Sequence, residues 1–174
     1  MSNAVRTLVR VLGPGTLVGL LAACAPGGPS GAPPTAVPSP TTTATHGRWP
    51  ADGQVEQPPP FELRHAGASL LLYPFTFCAE SGCADGFDDA PPSIGDADEL
   101  FVHVPVAGYT ELVVGEVEAD EVRPAEVEVV VERLDDAWWR LRLAGPPGDH
   151  LLSLYAGGDG SGDMIAEVIW TGGR

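Results

Sequence analysis

The segment Cys78-Ala79-Glu80-Ser81-Gly82-Cys83 brings two thiols within four intervening residues of each other. That spacing suits three kinds of chemistry. A zinc knuckle would need a second Cys or His pair further along, and none follows at zinc-like spacing. A dithiol redox centre ordinarily has two intervening residues, not four. In an oxidising compartment the pair would close a small structural disulfide, contributing about 2 kcal/mol in the chain-entropy treatment, with Gly82 available for the turn. A disulfide asks for α-carbons roughly 4.4–6.8 Å apart, which one strand running through both residues does not provide. The strand entering this segment must therefore end near Cys78.

Acidic loops suggest a second chemistry. Asp85, Asp88 and Asp89 form one cluster, and Asp96, Asp98 and Glu99 another. Asp159, Ser161 and Asp163 alternate as the first ligands of an EF-hand loop do. The match then stops, because Met164 stands where the sharp-turn glycine belongs and Trp170 where a bidentate glutamate is needed. Asp and Gly are also the ordinary residues of turns. Calcium held by Asp85, Asp88, Asp89, Asp159 and Asp163 is thus an alternative expectation, and no cofactor is otherwise expected.

For hydrolysis a nucleophile needs a base. His65, His103 and His150 are present, but there is no G-x-S-x-G elbow and no H-E-x-x-H helix. His103, between Val102 and Val104, reads as polar surface on a strand. His150 follows a Gly-Pro corner, where a hydrogen bond to the turn is expected. The chain has no lysine, which excludes Schiff-base chemistry, a Ser-Lys pair and a phosphate-binding loop lysine. The expectation is a protein that is not an enzyme, with a cell-wall hydrolase as the remoter alternative. Trp138 and Trp139 would point to opposite faces of a strand. Trp139 shares its face with Leu141 and Leu143 and belongs to the core. Trp138 falls with Arg140 and Arg142, where it packs under an arginine or anchors a partner or a sugar.

Strands must position these side chains. Ala68 to Phe77 alternates, with Leu70 and Leu72 on one side and Leu71, Tyr73, Phe75 and Phe77 on the other. Glu99 to Val106 places Leu100, Val102, Val104 and Val106 together, and Pro105 within it argues for an edge strand. Thr110–Glu118, Glu126–Glu132, Ala137–Leu143, His150–Ala156 and Met164–Thr171 continue the period of two. Gly145-Pro146-Pro147-Gly148 and the run from Gly157 to Gly162 mark connections, and no stretch has a helical period. About seven short strands predict an all-β, antiparallel, immunoglobulin-like sandwich over residues 61–174. No cysteine lies on the later strands, so the inter-sheet bridge of antibody domains is missing.

The N-terminal third reads differently. Ala25 to about Pro60 is rich in proline, threonine, glycine and alanine, with too little apolar surface to offset the entropy of ordering. It is expected to be a disordered tether, spanning up to about 100 Å where polyproline II persists. Before it, Met1–Arg10 carries Arg6 and Arg10 and no acid, Val11–Leu21 is mostly apolar, and Leu21-Ala22-Ala23-Cys24 closes the stretch. This resembles the lipobox of bacterial lipoproteins, an ordinary secretory leader being the competing reading. The resemblance implies cleavage between Ala23 and Cys24 and a lipid on the Cys24 thiol. The apolar stretch is broken by Gly13-Pro14-Gly15 and is shorter than the roughly 20 residues of a spanning helix. With Cys24 assigned to lipid, the two remaining cysteines form one pair.

A second resemblance covers most of 61–174. Tyr73-Pro74-Phe75-Thr76-Phe77-Cys78, Gly82-Cys83-Ala84-Asp85-Gly86, Ala144-Gly145-Pro146-Pro147-Gly148 and Ile169-Trp170-Thr171 look similar to a β-domain of uncharacterised actinobacterial lipoproteins. It implies a small β-domain on a lipid anchor and no particular activity. The charge agrees with an exterior in water: nine arginines stand against 24 acids, for a formal net charge of −15, and two of those arginines lie in the leader. Such a surface repels nucleic acid. The organisation expected is a signal peptide (1–23), a lipidated cysteine and linker (24–60) and a β-sandwich (61–174). The protein would sit on the extracytoplasmic face of the cell membrane, held by the lipid on Cys24. It would serve as an interaction or structural module for an envelope protein or glycan.

Overall fold

The structure, a computed structural model, describes residues 37–49, 55–80, 82–117, 126–158 and 162–173. The expected signal peptide, its Ala23–Cys24 cleavage site, the lipidation site Cys24, and Asp159 and Ser161 all lie outside the described residues. In chain order the strands are β1 (Thr42–His46), β2 (Phe61–His65), β3 (Ala68–Leu72), β4 (Thr76–Ala79), β5 (Gly82–Ala84) and β6 (Ser93–Gly95). They continue with β7 (Glu99–His103), β8 (Glu111–Glu116), β9 (Glu128–Arg133), β10 (Trp138–Ala144), β11 (Gly148–Gly158) and β12 (Gly162–Gly172). The described residues contain no helix.

Two mostly antiparallel sheets pack face to face as a β-sandwich. The first has the order β1-β3-β2-β7-β10-β9, and the second β5-β4-β12-β11-β8, with β6 alongside β12. Two of the pairings, β1 with β3 and β6 with β12, are parallel. The period of two sets the layers: on β11, Leu152, Leu154 and Ala156 point inward opposite Val168, Ala166 and Met164 of β12. Phe61, Leu63, Leu100, Val102, Trp139 and Leu141 fill the facing side from the first sheet. Trp139 is core, as its partners Leu141 and Leu143 imply.

Among the described residues the strands number twelve against about seven expected, and three differences have clear causes. The run Ala68–Phe77 is not one strand. At Tyr73-Pro74-Phe75 the chain changes sheets, with Tyr73 N–H donating to the His46 carbonyl (2.9 Å) and Phe75 N–H to the Ile165 carbonyl (3.1 Å). Pro74 has no N–H to continue a ladder there. β7 is not an edge strand but lies between β2 and β10. It ends at His103, so Pro105 falls beyond the ladder. The tether reading also needs correction, because its second half belongs to the domain. Thr42–His46 pairs with Ala68–Leu72 as an edge strand, and Thr41 N–H donates to the Gly67 carbonyl (2.7 Å). The compact unit accordingly runs from Ala36 to Arg174. Strand β1 contributes backbone bonds and β-branched threonines, and its side chains are mostly exposed, so it leaves no apolar signature.

Candidate functional site

The cysteines fold as their spacing suggests. Cys78 and Cys83 are directly opposite in the β4–β5 hairpin, disulfide-bonded, with α-carbons 4.1 Å apart, just short of the roughly 4.4–6.8 Å expected. The strand entering the segment ends one residue beyond Cys78, and Gly82, at φ +131°, opens β5 opposite Ala79. Tyr109, almost fully buried, leans its hydroxyl toward the Cys78 carbonyl (3.5 Å). Burial pushes that phenol above its ordinary pKa, and the charges of Asp163 and Tyr155 add to the effect.

The calcium reading rests in part on Asp159, which lies outside the described residues. Among the described residues no three His, Cys, Asp or Glu side chains form a group that could hold a metal ion. Asp85 accepts the Thr76 hydroxyl (3.1 Å). Asp88 pairs with His46 Nε2 (2.7 Å) and accepts the Ala90 N–H, which leaves Asp89 on the exposed rim of the same loop. Asp163 lies on β12 opposite Cys78. Asp85 and Asp88 thus tie neighbouring loop and strand groups together, the ordinary work of Asp in loops.

The three histidines named from the sequence occupy three separate settings. His65 places Nδ1 near the Glu99 carbonyl (3.2 Å). His150 is buried between Glu116, whose Oε1 is 2.7 Å from Nδ1, and the Pro146 carbonyl, 3.1 Å from Nε2. The hydrogen bond to the turn is therefore present, and a carboxylate partner joins it. An acid–imidazole pair exists here, but both ring nitrogens are engaged inside the protein, leaving none for a substrate proton. Glu116 gave no motif; the usable signal is its place on the inward parity of β8 with Leu112 and Val114.

His103 belongs to a larger assembly on the outer face of the first sheet. Registers across β2, β7 and β10 line up Glu62, His103 and Trp138 in one row and Arg64, Phe101 and Arg140 in the next. His103 stacks on Trp138, with ring centroids 4.7 Å apart, and the Arg64 guanidinium lies 4.5 Å from the centre of the same indole. Glu62 holds Arg64 through two contacts, 2.7 and 3.0 Å, and accepts the Ser69 hydroxyl (2.9 Å). The Arg64 bond, foremost, keeps the Glu62 carboxyl below its ordinary pKa. Arg140 is held by Glu132 on β9 and lies 3.9 Å from Glu99. Phe101, flanked in register by two arginines, is only 4% exposed although it faces away from the core. Trp138 packs against an arginine, one of the roles its strand position implied.

Beside this strip opens a cleft of about 490 Å³, lined by His103, Pro105, Val106, Tyr109, Arg133 and Asp136 among others. The β9–β10 turn builds one wall. Asp135 accepts the N–H groups of Ala137 and Trp138 (both 2.8 Å), and those two bonds, first among its causes, lower its pKa. Arg133 donates to the Asp135 carbonyl (2.8 Å) and lies over the Trp139 ring. Burial pulls the His103 imidazole below its ordinary pKa, with Glu62 opposing and Arg64 assisting. The strip and cleft therefore join an imidazole, an indole and a fixed guanidinium. Groups of these kinds stack on planar or sugar-like faces and hydrogen-bond polar ligands. No family model, curated protein or solved structure matches this chain.

Proposed function

We propose that this chain is a lipid-anchored cell-envelope protein whose β-sandwich is a non-enzymatic interaction module. Its partner, an envelope protein or glycan, would dock on the Trp138 strip and the adjoining cleft. The observation that carries the reading is the Cys78–Cys83 disulfide. Such a bond is at home outside the cytosol, and it leaves Cys24 as the odd cysteine, at the end of a basic-then-apolar leader. A strip of stacked aromatic and guanidinium groups beside a polar-rimmed cleft supports recognition, since Trp and Arg are the residues that most often anchor interfaces. The strong negative charge turns the surface away from nucleic acid and anionic headgroups, so the lipid on Cys24 is what would hold it at the bilayer.

Detergent partitioning of cell fractions tests the anchor. The natural protein enters the detergent phase, and Cys24→Ala moves it to the aqueous phase with its leader uncut. A Cys24→Ala protein that is processed normally and still partitions with detergent would overturn the proposal.

A further inference from the structure

At one end of the sandwich the chain passes twice between the sheets, and a single carboxylate–imidazole pair holds both crossings. Glu116 ends β8, and its Oε2 accepts the N–H groups of Glu126 (2.7 Å) and Val127 (3.1 Å), which lead into β9 of the other sheet. His150, at the start of β11, faces Glu116 Oε1 with Nδ1 and the carbonyl of Pro146 with Nε2. Pro146 lies in the passage from β10 to β11. The imidazole is backed by Trp170, ring centroids 5.5 Å apart, and Trp170 itself donates Nε1–H to the Ala97 carbonyl. Both members are shielded, with side-chain exposures of 7% for His150 and 14% for Glu116.

Counting protons shows what this geometry requires. Two ring nitrogens face two acceptors, so only the imidazolium satisfies both. A neutral ring has one N–H and one lone pair, and one of the two contacts becomes lone pair against lone pair. The carboxylate is the stronger acceptor and keeps the proton at Nδ1, so the Pro146 contact is the one lost. On the acid side the reverse group fails. Oε1 faces the imidazolium and Oε2 faces two backbone N–H donors, so a proton added to either oxygen meets a donor. The Oε1 contact pairs two ions and is the stronger, so the proton settles on Oε2 and displaces the Glu126 and Val127 amides.

We propose that Glu116 and His150 form a pH-sensitive clasp whose two crossings release at opposite ends of the pH range. The corner at Pro146 loosens when His150 deprotonates, and the segment at 126–127 loosens when Glu116 takes up a proton. The surroundings agree. Burial pulls the His150 pKa down, but the bonds to Glu116 and Pro146 and the charges of Glu116 and Glu126 outweigh it and lift it above 6.5. Burial raises Glu116, but the His150 bond and the two backbone N–H bonds outweigh it and bring it below 4.5. Glu126 is the other charged group facing His150, and Trp170 on β12 is neutral. Asp149, next to His150 on its own strand, accepts the Thr171 hydroxyl (2.7 Å). A raised histidine stabilises fully below about 6.5 and ceases to as pH climbs through its folded value; a lowered glutamate stabilises fully above about 4.5 and ceases to as pH falls through its folded value. Both contributions coexist between these limits.

An NMR titration of the full chain tests the clasp, reading the His150 ring nitrogens, the Pro146 carbonyl carbon and amide exchange at Glu126 and Val127, corrected for intrinsic rates. At pH 6 the ring carries protons on both nitrogens. Above the His150 midpoint, itself above 6.5, the Nδ1–H form remains and the Pro146 carbonyl shifts with the same midpoint. The Glu126 and Val127 amides lose about tenfold or more of their protection only on the acid side, with the Glu116 midpoint. Glu116→Gln drops the His150 midpoint below that of the natural protein. A His150 midpoint below 6.5 would overturn the proposal. So would a Pro146 carbonyl that ignores it, or Glu126 and Val127 amides that follow the histidine instead of the carboxylate. If the variant does not fold, the natural protein's titration decides alone.

Discussion

Trp138 carries the binding proposal at the scale of a residue. It stacks with His103 and carries the Arg64 guanidinium over its ring, and Arg64 is in turn fixed by Glu62. A cation over an indole at a partly exposed site is worth about 0.5–1 kcal/mol. A double-mutant cycle of Arg64→Ala and Trp138→Ala should return a coupling of that size in urea unfolding, whereas additive losses would mean the two do not interact. The sequence indicated that Trp138 and Trp139 point to opposite faces, and that an arginine is the ordinary neighbour of the outer one. It did not indicate which arginine. Arg140 and Arg142 share its strand, but the cation that reaches the ring is Arg64, two strands away in the sheet. Partners brought together by register across non-consecutive strands have no local signature. The same holds for Glu116 and His150, which are 34 residues apart. Cys78 and Cys83 were legible because their partner is local.

Among elements, β1 is the instructive case. Its side chains are threonine, alanine and histidine, nearly all exposed, so hydrophobic periodicity has nothing to register. Its ladder to β3 supplies backbone hydrogen bonds that no composition rule counts. His46 at its end also pairs with Asp88 from the loop beyond the disulfide hairpin. A chain starting at Phe61 should therefore melt several degrees below one starting at Ala36, since a loss of 1 kcal/mol shifts Tm by roughly 2–8 °C for domains of this size. Equal melting temperatures by differential scanning calorimetry would show that β1 adds nothing and that the tether extends to residue 60. Strands β10, β11 and β12 were readable, because each buries every second residue against the core. The break in the Ala68–Phe77 run was not readable, because the unbroken apolar alternation around Pro74 concealed the change of sheet.

For the whole molecule, a closed disulfide, an acidic composition and a sandwich with an aromatic–guanidinium strip on one outer face are the features from which we propose a lipid-anchored envelope protein. The polar residues at the ends of the core are partnered, and among the described residues no buried side-chain nitrogen or oxygen lacks a hydrogen bond. Anchoring through Cys24 is the claim on which this picture turns. Intact-mass and peptide mass spectrometry of the non-reduced protein from the cell envelope tests it most directly. The expected result is a mature chain that begins at Cys24 with a lipid-sized mass on that residue, and a single Cys78–Cys83 linked peptide. A chain that retains Met1, or begins elsewhere with an unmodified Cys24, would contradict it.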